Sequence, residues 1–168
     1  AAIIALRKCL IERELLVFTS VADALEQRLS LVVDPNSSLD WYPKTTSAAI
    51  PVDFWEQPVL IRVRTLLAAG SPQDLAQAAE LLAERRAKVM VRRFNRRLIE
   101  VGALQALVLS AQGHTAAALA ALREAIEWAA PGGAFRLVVD CGPGLIDLLR
   151  TLLAEGVAPR YIQKVLAV

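Results

Sequence analysis

Apolar residues recur at spacings of three and four along most of the chain, with polar residues between them. That period is helical. Ile3, Ile4, Leu6, Leu10, Ile11 and Leu15 predict an amphipathic helix over 2–17. Val21, Ala24, Leu25, Leu29 and Val32 predict a second over about 21–33, capped by Ser20, with Asp23, Glu26, Gln27 and Arg28 on its polar face. Asp34-Pro35-Asn36-Ser37-Ser38 is a turn, because Pro35 restricts Asp34 and the polar side chains compete for backbone groups. Residues 39–53 are the least regular stretch. Trp41-Tyr42-Pro43 and Ile50-Pro51-Val52 argue against a long helix there, and a short helical turn followed by an extended loop is expected.

From Phe54 to Ala69 the helical pattern resumes, with Pro58 in the first turn and Val59, Val63, Leu66 and Leu67 as its apolar stripe. Ser71 or Asp74 caps the next helix, which carries Leu75, Ala78, Ala79 and Leu82 inward. Phe94, Leu98, Val101, Leu104, Val108 and Ala111 share one face of a helix that ends at Gly113. Thr115 is expected to cap its partner, whose stripe is Ala118, Leu119, Leu122, Ala125, Ile126 and Ala129. Facing surfaces made of Ala and Leu allow two helix axes to approach closely. Pro131-Gly132-Gly133 ends that helix. Phe135–Asp140 has strand-like composition, but one strand without a partner is unsupported, so it is read as helix. A Gly142-Pro143-Gly144 turn, a helix to Ala154, and a last helix from Ala158 or Pro159 complete the chain.

A rhythm lies over this pattern. Leu66-Leu67-Ala68-Ala69-Gly70 is echoed 43 residues later by Leu109-Ser110-Ala111-Gln112-Gly113, and 43 residues after that by Leu152-Leu153-Ala154-Glu155-Gly156. A fixed period of this size marks a stacked repeat protein. Each glycine is expected to end its helix, Gly70 in left-handed conformation. Stacked repeats present an extended binding surface and rarely perform chemistry. The predicted fold is all-α: antiparallel helix pairs stacked as a solenoid. A degenerate repeat with the irregular loop occupies 1–53 and the clearer repeats 54–168, in one continuous solenoid.

Composition narrows the function. Of 168 residues, 55% are hydrophobic but only 5% aromatic, which suits a core of small and aliphatic side chains. No apolar run approaches the length of a membrane span. Arg7, Lys8, Glu12, Arg13 and Glu14 exclude a signal-peptide apolar region. The chain opens in helix-like sequence without Met, as an excised fragment would. Cys9 and Cys141 have no CxxC or Cys/His company and read as buried thiols of a reducing cytoplasm. His114 reads as a surface turn residue. No catalytic constellation, metal set or cofactor motif is present, including the GxxxxGK[ST] phosphate loop, so no enzyme is expected.

Charge is uneven. The net charge is +2, yet residues 85–97 hold Arg85, Arg86, Lys88, Arg92, Arg93, Arg96 and Arg97 with no acid among them. If the segment is one helix, Arg85, Lys88, Arg92 and Arg96 share one stripe of it. Three readings fit: a solvated helix flank paired with Glu80, Glu84 and Glu100; a docking patch for an anionic effector or protein partner; or a nucleic-acid contact. Trp41, Tyr42, Phe54 and Trp55 form a second cluster, which either fills a gap in the stack or lines a pocket. The candidate ligand or partner patch is therefore Arg85, Lys88, Arg92, Arg93 and Arg96 with Trp41, Tyr42 and Trp55.

With Gly113 as the turn glycine, Ala106, Ala118 and Ala125 fall on the small-residue positions of tetratricopeptide repeats and Leu122 on the large apolar one; Pro131 is one residue off the repeat-ending proline. Residues 94–168 resemble more closely the sensor region of MalT-like, LuxR-type transcription regulators. The match runs through Leu104-Gln105-Ala106-Leu107, Ala111-Gln112-Gly113 and Ala116–Leu122. It continues in Phe135-Arg136-Leu137-Val138-Val139-Asp140-Cys141-Gly142-Pro143, Leu148-Leu149-Arg150, Gly156 and Tyr161-Ile162. Residues 54–93 match more loosely. The resemblance implies an all-α, right-handed superhelix of tetratricopeptide-like helix pairs, and a bacterial, cytoplasmic regulator. Its ATP-binding switch domain and C-terminal helix-turn-helix module would lie outside this chain, so ATP and DNA are expected only there. The chain itself would bind a small-molecule effector or protein partner in the groove of the stack, with self-association as a further consequence. The alternative is a protein-interaction scaffold with no small-molecule ligand.

Overall fold

The computed structural model describes residues 2–12, 26, 58–91 and 95–168. The expected helix over 21–33, the turn after it, the loop at 39–53, and Trp41, Tyr42, Phe54, Trp55, Arg92, Arg93 and Phe94 lie outside the described residues. Two compact units are present, Ala1–Ala69 and Gly70–Val168.

In the first unit, α1 spans Ala2–Glu12 and α2 spans Pro58–Ala69. On α1, Ile4 and Leu6 are exposed, and Lys8 pairs with Glu12 one turn on. Pro58 opens α2, where a missing N–H costs nothing. The buried residues of α2 are Leu60, Ile61, Val63 and Leu66. Val59 and Leu67, expected inside, are half-buried. Thr65 is buried too, and its hydroxyl donates to the carbonyl of Ile61 at 3.0 Å, so no polar atom of the side chain is stranded.

The second unit holds α3 (Pro72–Val91), α4 (Asn95–Ala111), α5 (Thr115–Ala129), α6 (Phe135–Val139), a 3₁₀ turn at Pro143–Leu145, α7 (Ile146–Ala154) and α8 (Pro159–Leu166). No strand occurs among the described residues, and the fold is an all-α, tetratricopeptide-like helical repeat. Ser71 settles the start of α3. Its hydroxyl oxygen accepts the Asp74 N–H at 3.1 Å and donates to the Asp74 carboxylate. Leu75, Ala78, Leu82 and Val89 give α3 its buried stripe.

The turn glycines behave as their spacing predicts. Gly70, Gly113 and Gly156 have φ of 70°, 81° and 77°. At the second, the His114 N–H donates to Leu109 O and the Gly113 N–H to Ser110 O. At the third, Val157 donates to Leu152 and Gly156 to Leu153 in the same pattern. These pairs of bonds satisfy carbonyls that a helix end leaves open, and they need a residue free to adopt positive φ. Because His114 belongs to the first of these turns, it also takes the N-cap position of α5, without a side-chain cap. Thr115 therefore enters the helix as its first residue and does not cap it.

α4 is the centre of the unit. It packs on α5, α3, α6 and the 3₁₀ turn. Every residue from Arg97 to Val108 except Gln105 is buried. The three-residue turn at 112–114 folds α5 back against α4. Its contact with α5 is the most extensive in the unit. It runs through Ala106, Ala118, Leu122, Ala125 and Ile126, all within 2% of full burial. A Cβ on Gly102 would lie 3.0 Å from the Ala125 Cβ, so glycine is what lets the two helices close. Phe135–Val139 is helical, as expected, and α6 packs on α4 and α8. α6 ends at Val139, and Gly142, with φ of 111°, leads into the 3₁₀ turn.

Candidate functional site

The basic segment occupies the end of α3 and the start of α4. Arg85 is half-buried on α3, Lys88 is exposed beside it, and Arg96 is exposed in the first turn of α4. Arg92 and Arg93 lie outside the described residues, as do Trp41, Tyr42 and Trp55.

Acids answer much of the segment's charge. Lys88 pairs with Glu84 one turn earlier on α3. Hydrogen bonding from the Lys88 ammonium, and then its charge, hold the Glu84 carboxyl below the usual carboxylate range. Arg86 reaches across to Glu124 on α5 at 2.5 Å. Arg97 turns inward and binds Glu100 at 2.9 Å, with side chains only 7% and 10% exposed. Of the expected acidic partners, Glu84 and Glu100 serve, and Glu124 is an addition. A pair between different helices leaves no periodic trace in the sequence, which is why Glu124 was not legible.

A different surface emerges on the outer helices. Met90 lies four residues beyond Arg86, and Trp128 four residues beyond Glu124. Each side chain lies one turn beyond its helix's partner in the bridge. Both are exposed, Met90 at 55% and Trp128 at 46%. Trp128 lies off the Ala118–Ala129 stripe of its helix. On the far side of α5, Arg123 pairs with Glu155 beyond the end of α7.

Among the described residues no three His, Cys, Asp or Glu side chains converge as a metal site would require. No described helix is long and apolar enough to cross a membrane. The two cysteines differ: Cys141 is buried and its thiol donates to Leu137 O at 3.2 Å, whereas Cys9 on α1 is exposed. Burial thus holds for one thiol and fails for the other, which sits on a helix whose described side chains are all exposed.

The expected tetratricopeptide register is realised in the α4–α5 hairpin, with small residues at the crossing and glycine at the turn. A family model described as the MalT-like TPR region matches residues 21–155. No curated protein and no solved structure matches the chain. The family match spans most of the chain and includes all three turn-forming stretches but the last glycine, and the chain belongs to the family of MalT-like TPR regions.

Proposed function

We propose that this helical-repeat regulatory and interaction region is the sensor of a LuxR-type bacterial transcription regulator. In that reading it is a non-catalytic cytoplasmic part of a larger switch. An effector or partner bound to the stack changes the balance between two states of the whole protein, and a helix-turn-helix module elsewhere in the regulator then binds DNA. The observation that carries the reading is the family match over residues 21–155. The pairing of Arg86, Lys88 and Arg97 with acids weighs against a nucleic-acid role for the basic segment, since charges already neutralised contribute little to phosphate binding.

The exposed Met90 and Trp128 favour a second reading, a scaffold that docks a protein and needs no small molecule. A thermal-shift screen of metabolites on the intact regulator separates the two. The sensor reading expects a metabolite that raises the melting temperature and changes operator binding in the same concentration range. Stabilisation by a purified protein partner, with no metabolite effect on operator binding, would leave the scaffold.

A further inference from the structure

α8 is entered through a strained backbone. Its N-cap position is filled by Ala158 at φ 37° and ψ 55°, the one non-glycine residue of positive φ among those described. In that conformation the Cβ crowds the following carbonyl. Pro159 behind it disfavours helical geometry further. No side chain caps the helix, and its eight residues are too few to persist on their own hydrogen bonds. Packing must hold it. Ile162 and Val165 are buried, and the helix lies on α6 and α7. Its two polar ties both lead to the entrance of α6: the Tyr161 hydroxyl donates to Ala134 O at 3.2 Å, and the Lys164 ammonium stands 4.5 Å from the centre of the Phe135 ring.

We propose that α8 is a hinged closing strap, which opens as a unit about Gly156–Ala158 while α3, α4 and α5 stay folded. Opening releases the strained backbone of Ala158 and needs no change in the α4–α5 hairpin. It uncovers the apolar face formed by Tyr161, Ile162 and Val165, together with the parts of α6 and α7 beneath it. The two ties to residues 134–135 and the burial of Ile162 keep the strap closed at rest.

Native-state hydrogen exchange on the full chain tests this. Amides of α8 are expected to exchange at least roughly ten-fold faster, relative to their intrinsic rates, than those of Val101–Val108 in α4. Ala158→Gly removes the crowding and is expected to slow α8 exchange about five-fold with α4 unchanged. Ile162→Ala is expected to speed α8 exchange by more than about ten-fold, with a far smaller change in α4. If α8 and α4 share one protection and move together in both variants, the helix opens only with the whole unit and the proposal fails.

Discussion

Arg123 and Glu124 are neighbours on α5 that serve different helices: Glu124 accepts from Arg86 of α3, and Arg123 binds Glu155 beyond α7. Consecutive residues of a helix point about 100° apart, so one turn of α5 joins the elements on its two sides. All four side chains are partly exposed, which limits each bridge to roughly 0.5–1 kcal/mol and leaves it open to screening. A double-mutant cycle with Arg86→Met and Glu124→Gln in urea denaturation should give coupling of that size at low salt. The coupling should fall by more than about half at 1 M salt. Coupling that ignores salt would mean the pair acts through packing.

Gly102 makes a sharper demand. A Cβ there meets the Ala125 Cβ at 3.0 Å, and that atom cannot move without moving α5. Gly102→Val should therefore destabilise the protein by about 2–3 kcal/mol despite the poor helix propensity of glycine. Ala125→Gly should restore part of the loss by removing the atom that is struck. Independent, additive losses in the double variant would show that the crossing is not where the strain falls.

The repeat was legible because a helix stop needs a residue free to take positive φ, and Gly70, Gly113 and Gly156 supply one at constant spacing. The α4–α5 stripe was legible for a similar reason, since Ala118, Leu122, Ala125, Ile126 and Ala129 recur at helical period. What periodicity could not show is the all-round burial of α4. Arg97 and Glu100 look like solvated charges in the sequence, yet they pair inside because helices pack on several sides of α4. Gly102 reads as a weak point in a helix until its neighbour across the crossing is known. The basic segment was legible as charge, but its pairing with Glu124 depends on which helices are adjacent.

The Arg97–Glu100 pair is a liability when halved. Removing one partner leaves the other charge buried, and Arg97→Met alone should cost about 3–5 kcal/mol. Replacing both, as Arg97→Met with Glu100→Leu, removes the desolvated charges together and should recover most of that loss. Chemical denaturation of the three variants checks it. A double variant no better than the single would show that further polar partners of these side chains, and not the pair itself, set the cost.

Tyr161 gives the terminal helix a pH dependence at the alkaline end. Burial disfavours its phenolate and pushes its pKa up to about 12, whereas an exposed tyrosine in the unfolded chain titrates near 10. Between these values the unfolded chain has lost the proton that the folded chain keeps. The stabilising contribution is therefore whole below about pH 10 and is lost as pH rises towards 12. In an alkaline titration followed by tyrosinate absorbance, a late step should appear that Tyr161→Phe abolishes. The same substitution should flatten the fall of stability over that window. Titration of Tyr161 near 10 in the folded protein would mean that water reaches its hydroxyl, and that α8 does not seal the position between Ala134 and the core.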